Sequence, residues 1–105
     1  MNKMTVKELK QKLDSGEQLK VIDIREPYEV EIASIGAQHI PMGEIVDRKD
    51  ELPKDQPVVI HCRSGKRSAA VIETLNELHG FDNLYNLKGG INAWAEEIDP
   101  DIPTY

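Results

Sequence analysis

The most informative segment of the sequence is Val58-Val59-Ile60-His61-Cys62-Arg63-Ser64-Gly65-Lys66-Arg67-Ser68. Its first part is a mainly β-branched run, which is typical of a short buried strand. The run ends at Cys62, and a glycine-containing loop follows it. After Ser68, apolar residues recur at the spacing of a helix that packs on a core, and Gly80 is a typical helix stop. These apolar residues are Ala69, Val71 or Ile72, Leu75 and Leu78.

The rest of the chain continues the alternation of strands and helices. Thr5 and Glu8 form a capping-box pattern ahead of a helix that ends at Gly16. The other predicted elements are strands at 19–24, 38–41 and 81–87, helices at 26–32 and 91–98, and a weakly helical stretch at 44–49. The alternation predicts an α/β fold with a doubly wound, mostly parallel sheet of about five short strands and helices on both faces. We expect residues 1–105 to form a single domain.

The composition argues against several classes of function. The chain has 105 residues and a net charge of −6, which disfavours a nucleic-acid or anionic membrane surface. No apolar run approaches the roughly 20 residues that span a bilayer. The first residues lack the apolar core of a secretory signal. We therefore expect a cytoplasmic protein that binds neither nucleic acid nor membranes.

Cys62 is the only cysteine, so an intrachain disulfide and a zinc site with several thiolates are both excluded. The histidines at positions 39, 61 and 79 lack a metal-ligand spacing, and we expect no metal and no cofactor. A lone cysteine is ordinarily a small buried hydrophobe. Its neighbours must decide between that interpretation and a reactive thiol.

The neighbours of Cys62 favour a reactive thiol. We call residues 62–68 the Cys62 loop. Successive N–H groups of such a loop converge on one point, and the N-terminus of the following helix adds positive charge there. Gly65 permits a backbone conformation that a side chain hinders, and basic residues beside the cysteine favour its thiolate. The alternative is a buried cysteine followed by a solvated basic turn. The candidate site comprises the nucleophile Cys62 and the substrate-binding residues Arg63, Ser64, Gly65, Lys66, Arg67 and Ser68.

The length of the Cys62 loop bears on its chemistry. The protein tyrosine phosphatase signature is His-Cys-x5-Arg, whereas Arg67 follows Cys62 here after only four residues, and Ser68 occupies the required position. Phosphatases also need a general acid for a poor leaving group, and no unambiguous candidate follows the loop. Sulfur transfer from thiosulfate expels sulfite, a stable anion, and needs no such acid.

The sequence resembles the rhodanese-like family, specifically its single-domain sulfurtransferases. The resemblance covers nearly the whole chain, through VIDIRE at 21–26, EIASIGA at 31–37, HIP at 39–41, CRSGKRS at 62–68 and LKGGINAW at 87–94. It implies that Cys62 accepts sulfane sulfur as a persulfide, surrounded by loop amides and basic side chains. The segment Ala33-Ser34-Ile35 is more similar to rhodanese domains fused to sulfur-carrier-activating enzymes.

The leading interpretation is a thiosulfate-type sulfurtransferase that moves sulfane sulfur from thiosulfate or a similar donor to cyanide or a thiol. Because the chain has no second cysteine, the acceptor is expected to be external, either a small thiol or a sulfur-acceptor protein. Two alternatives stay open. One is a non-catalytic interaction domain on the same fold, and the other is a phosphatase or arsenate reductase.

Several residues near the expected site have structural interpretations. Asp23 and Arg25 lie where the first core strand ends and either orient the loop or substrate or, as we favour, form a helix-capping ion pair with Glu26 or Glu29. His61 is interpreted as a packed strand residue rather than a base. Two further expectations are a turn beside the site at 88–90 and a core position for Trp94.

Overall fold

The computed structural model describes residues 1–105 and contains five strands and four α-helices. The strands are β1 (Lys3–Met4), β2 (Lys20–Asp23), β3 (Gln38–His39), β4 (Val58–His61) and β5 (Leu84–Leu87). The helices are α1 (Val6–Asp14), α2 (Pro27–Ile32), α3 (Lys66–His79) and α4 (Gly90–Glu97). All strand pairs are parallel, in the order β1-β5-β4-β2-β3. The predicted doubly wound α/β fold is confirmed.

The two faces of the sheet bury separate apolar clusters. Side chains alternate along a strand, so Val58 and Ile60 of β4 face one cluster and Val59 faces the other. The first cluster includes the inner face of α3, and the second includes α1 and Trp94 of α4. All four residues of β4 are buried, as expected for a central strand covered by helices on both faces.

The helices differ from the sequence prediction in two places. The capping box of α1 is confirmed by bonds of 3.1 Å in both directions between Thr5 and Glu8. However, α3 begins at Lys66 rather than after Ser68, because Gly65 adopts a φ of +105° and turns the chain directly into the helix. Leu78 was expected in the core but is 72% exposed, since the chain reverses after α3 and Phe81 fills that end of the core.

The strands also differ from the prediction. The sequence did not indicate β1, whose two residues pair with Asn86 and Leu87 of β5. β5 begins at Leu84 rather than at residue 81, because the Asn83 side chain donates to carbonyl oxygens in the loop before β4. The weak helix predicted at 44–49 is a series of turns that leads into a 3-10 helix, Lys49–Glu51. None of the helices has the length and hydropathy required to cross a lipid bilayer.

The topology brings the candidate residues to one edge of the sheet. Since all strands are parallel, their carboxyl ends lie at the same edge, where ligands bind in open α/β sheets. β2 ends at Asp23, β4 ends immediately before Cys62, and β5 ends immediately before the turn at 88–90. The fold therefore places Cys62 at the centre of that edge, between the ends of β2 and β5.

Candidate active site

The sulfur of Cys62 lies among converging hydrogen-bond donors. The Gly65 N–H donates to Sγ at 3.1 Å and the Ser68 N–H at 3.5 Å, while Ser68 Oγ lies 3.4 Å from Sγ. Ser68 is in the first turn of α3, where backbone N–H groups have no partner within the helix. The partial positive charge of the helix N-terminus acts in the same direction. This arrangement is suited to hold a negative charge on the sulfur.

The pKa of the Cys62 thiol lies below its ordinary value. Burial is the largest single influence and opposes ionisation, since Cys62 is only 1% exposed. Hydrogen bonds from the Ser68 side chain and from the backbone N–H groups of Ser68, Gly65 and Ser64 together outweigh it. The thiolate, which is the nucleophilic form of cysteine, is therefore more accessible here than in an ordinary cysteine.

The turn between β5 and α4 supports the Cys62 loop through backbone contacts. The N–H of Ile91 donates to the carbonyl oxygen of Cys62 at 3.0 Å, and the N–H of Asn92 donates to that of Arg63 at 3.1 Å. Gly90 has a φ of +56°, and a Cβ atom there would lie 2.5 Å from both carbonyl oxygens. The backbone of the turn thus approaches the loop more closely than any side chain would permit. This is the turn at 88–90 that the sequence predicted beside the site.

Asn86 of β5 is a site residue that the sequence analysis missed. Its Oδ1 accepts a hydrogen bond from Ser68 Oγ at 2.6 Å, and its Nδ2 donates to the Gly65 carbonyl oxygen at 3.0 Å. It therefore fixes two parts of the Cys62 loop at once. The available signal was a buried asparagine in an otherwise apolar strand, between Tyr85 and Leu87.

The three basic residues of the loop have different environments. The Arg67 guanidinium forms two bonds with the carboxylate of Glu29, of 2.7 and 2.9 Å, and is thereby neutralised. Arg63 and Lys66 are exposed and form no ion pair. The Arg63 guanidinium lies over the ring of Tyr105, 4.4 Å from its centroid. The structure thus leaves Arg63 and Lys66 available to an anion.

Glu29 and Tyr105 extend this network beyond the loop. The Arg67 pair, assisted by a 2.6 Å bond from the Tyr105 hydroxyl, lowers the pKa of the buried Glu29 to about 2. The segment that follows α4 brings Tyr105 to the site. The sequence indicated Glu29 only as a partner of Asp23 and Arg25 and did not indicate Tyr105, since spacing along the chain does not connect residues so far apart.

Asp23 and Arg25 pair with each other, and this corrects the partners expected from the sequence. The Arg25 guanidinium contacts the Asp23 carboxylate at 2.7 Å, and both residues are fully buried. It also donates to the carbonyl oxygens of Glu29 and Ala33 and to the Tyr105 hydroxyl. These contacts hold α2 and the segment after α4 against the end of β2, which supports the structural interpretation of the pair.

His61 is a buried residue of β4, in agreement with its interpretation as a packed strand residue. Burial is the main cause that lowers its pKa, although the Asp23 carboxylate partly opposes the shift. Its Nδ1 lies 3.1 Å from the Cys62 carbonyl oxygen, and its Nε2 lies 3.5 Å from Oδ2 of Asp23. Histidine, cysteine, aspartate and glutamate side chains do not gather in groups of three or more suited to a metal ion.

Comparisons with known proteins agree with the fold and with the resemblance in the sequence. The model of the Rhodanese-like domain family matches residues 5–97. A sulfurtransferase of Allochromatium vinosum is 41% identical over 103 residues, which cover 97% of this chain and 95% of that protein. The structure of a rhodanese-like domain protein from Staphylococcus aureus superposes with a TM-score of 0.83 at 33% identity, over 100% of this chain and 99% of that chain.

A longer relative shows the same domain in another context. The probable adenylyltransferase/sulfurtransferase MoeZ of Mycobacterium tuberculosis is 40% identical over 105 residues, which cover 97% of this chain. The match spans only 26% of that protein, so this chain corresponds to about a quarter of its length. On the extent of the family match and these identities, the chain belongs to the rhodanese-like domain family.

Proposed function

We propose that the protein is a sulfurtransferase in which Cys62 carries a sulfane sulfur as a persulfide. The thiolate attacks the outer sulfur of thiosulfate or a similar donor, the sulfur–sulfur bond of the donor breaks, and sulfite leaves with the electron pair. Cyanide or an external thiolate then attacks the outer sulfur of the persulfide, and the Cys62 thiolate leaves. Both steps are exchanges at sulfur that balance without a further oxidant or reductant.

One observation carries this proposal: backbone N–H groups of Gly65 and Ser68 point at the sulfur of a cysteine whose pKa is lowered. Such fixed donors stabilise a negative charge without reorganising during the reaction. The Cys62 thiolate before sulfur transfer and the Cys62 persulfide after it both carry a negative charge on sulfur, within the Cys62 loop. The relatives named as sulfurtransferases support the same chemistry.

For the donor, we propose that Arg63 and Lys66 bind the sulfonate end of thiosulfate. They are the exposed loop cations without an ion-pair partner, in a chain whose net charge is −6. Arg67 holds Glu29 instead, so an anion at Arg67 competes with a bidentate pair. Ser64, Gly65 and Ser68 contribute backbone N–H groups to the sulfur rather than side chains to the sulfonate.

For the acceptor, we propose an external thiol or a sulfur-acceptor protein. Cys62 is the only cysteine, so no second thiol of the same chain resolves the persulfide. The name of the mycobacterial relative joins an adenylyltransferase to a sulfurtransferase. That pairing supports a protein acceptor activated by adenylation, in agreement with the resemblance of residues 33–35.

Intact-mass measurement after incubation with thiosulfate tests the proposal. The wild type gains the mass of one sulfur atom and loses it on addition of cyanide, with formation of thiocyanate. Cys62→Ser gains nothing, while Ser34→Ala, at an exposed position in the loop after α2, behaves as the wild type. Sulfur loading of Cys62→Ser, or turnover of an aryl phosphate comparable to that of thiosulfate in the wild type, contradicts the proposal.

A further inference from the structure

A chain of hydrogen bonds leads away from the Cys62 sulfur, and its direction follows from one fixed end. The Gly65 carbonyl oxygen only accepts, so the nearby atom of the Asn86 amide must be Nδ2, at 3.0 Å. The other amide atom, Oδ1, therefore faces Ser68 and accepts its hydroxyl proton at 2.6 Å. While that proton is donated to Asn86, Ser68 Oγ can only accept from the Cys62 thiol, 3.4 Å away. The Ser68 bond that lowers the pKa of Cys62 requires the hydroxyl to turn from Asn86 toward the sulfur.

Ionisation of Cys62 changes the direction in which these hydrogen bonds can run. The thiolate has no proton to give, and the Ser68 hydroxyl proton then has two possible acceptors. One is Asn86 Oδ1 at 2.6 Å, and the other is the sulfur at 3.4 Å. Ser68 is fully buried and Asn86 nearly so, at 6% exposure, so bulk water does not readily replace either partner. The backbone N–H groups of Gly65 and Ser68 point at the sulfur in either case.

We propose that Asn86 is a positioning residue that competes with the Cys62 thiolate for the single hydroxyl proton of Ser68. By holding that proton, Asn86 keeps the thiolate less stabilised than the loop alone would make it, and a more basic thiolate is a stronger nucleophile. The inference deepens the proposed function, since it assigns a control of reactivity to the same sulfur. Asn86 itself touches Ser68 and Gly65, not Sγ.

Substitution of Asn86 by an uncharged residue leaves the charged groups around the sulfur unchanged. They are Arg67, Lys66 and Arg63 of the Cys62 loop and the Asp23–Arg25 pair with His61 at the neighbouring strand ends. No ionised side chain of β5 or α4 bonds to the sulfur. Lys88, in the turn that follows β5, is the basic residue next to these two elements in the sequence. A difference between uncharged variants therefore reports on the hydrogen bonds.

The test is a titration of Cys62, in which its rate of alkylation with iodoacetamide is measured as a function of pH. Asn86→Ala frees the Ser68 proton, and the pKa of Cys62 falls by about half to one unit. Asn86→Asp offers a stronger, charged acceptor, and the pKa rises. Both substitutions remove the bond to the Gly65 carbonyl. If Asn86 only held the Cys62 loop in place, both substitutions would loosen the N–H donors around the sulfur. The pKa of Cys62 would then rise in both variants.

A double-mutant cycle isolates the competition. In a Ser68→Ala background there is no proton to compete for, so Asn86→Ala no longer lowers the pKa of Cys62. Asn86→Leu, which approximates the volume and lacks the acceptor, gives the same fall as Asn86→Ala and serves if the latter does not fold. A rise in either uncharged variant, or a fall that persists without Ser68, overturns the proposal. Alkylation needs no sulfur donor, so this outcome is independent of whether Cys62 transfers sulfur.

Discussion

At the scale of single residues, Gly90 shows how closely the backbone is packed around the site. Its φ of +56° is costly for residues with a Cβ atom, and that atom would lie 2.5 Å from the carbonyl oxygens of Cys62 and Arg63. The neighbouring N–H groups of Ile91 and Asn92 bond to the same two oxygens. Any displacement at Gly90 is therefore transmitted to the loop that carries the sulfur.

Gly90→Ala is expected to lower the free energy of unfolding by about 2 kcal/mol or more, because it adds both backbone strain and a clash. It is also expected to reduce the rate of sulfur loading at Cys62. Gly43→Ala is the matched control, since a Cβ there meets nothing within 4 Å. Denaturant unfolding of the two variants measures the difference. Equal stabilities would show that the turn at 88–90 does not constrain the loop.

Arg63→Ala is expected to lower kcat/KM for thiosulfate about tenfold or more, because a charge-assisted contact with the sulfonate contributes about 1.5–3 kcal/mol. Lys54→Ala is the control, because it also removes one positive charge. Lys54 lies over the ring of Phe81, at the opposite end of α3 from Cys62. Steady-state kinetics of both variants provide the comparison. If the two substitutions have the same small effect, Arg63 does not bind the donor.

At the scale of elements, the start of α3 sets the geometry of the Cys62 loop. Only Arg63, Ser64 and Gly65 lie between Cys62 and the helix. Because Lys66, Arg67 and Ser68 are in the first helical turn, their directions are fixed by the helix rather than by a flexible loop. This arrangement places the Ser68 N–H on the sulfur and turns the Arg67 side chain toward Glu29 of α2.

Insertion of one glycine between Gly65 and Lys66 is expected to depress sulfur transfer at least tenfold. The extra residue rotates the first turn of α3 about the helix axis by about 100°, so the Ser68 N–H no longer points at Sγ. A glycine inserted after Gly43, in the exposed turns before the 3-10 helix, is the control. Assays on thiosulfate and on an aryl phosphate are run side by side. Undiminished transfer in the inserted protein would show that loop length does not define the site.

At the scale of the whole molecule, one polar network joins parts of the chain that are distant in sequence. Arg67 of α3 binds Glu29 of α2, and Tyr105 binds Glu29 and Arg25. Arg25 in turn binds Asp23 at the end of β2. The network thus fastens α2, α3 and the segment after α4 to the edge of the sheet where Cys62 lies.

The network predicts a pH dependence of stability. The pKa of Glu29 is about 2 in the folded protein, below its ordinary value of 4.5, so its contribution is present above pH 4.5 and is lost as the pH falls toward 2. The expected loss between pH 5 and 2 is about 2–3 kcal/mol in the free energy of unfolding. Glu29→Gln lacks this part of the pH dependence, whereas Glu31→Gln, exposed on the same helix, retains it. Denaturant titrations across that pH range measure it. Parallel pH curves for the wild type and Glu29→Gln would contradict this account.

Local sequence patterns were enough to predict the fold class, the position of Cys62 and the loop that surrounds it. These follow from local patterns: β-branched runs for strands, apolar spacing for helices, and a cysteine between a strand and a glycine. The structure confirms the parallel sheet, the capping box at Thr5 and the buried position of Trp94. Local patterns also left errors, since Leu78 has core spacing but is largely exposed.

Which side chains meet at the site follows from tertiary packing and not from local sequence. Asn86 and Tyr105 reach the Cys62 loop from far along the chain, and Arg25 pairs with Asp23 rather than with Glu26 or Glu29. Arg67 is adjacent in sequence to other loop cations, yet its charge is neutralised by Glu29 while that of Arg63 is not. The reason is that hydrogen bonds and ion pairs depend on distances of about 3 Å, which spacing along the chain does not encode and only the packing of α2, α3 and β5 around one sheet edge establishes.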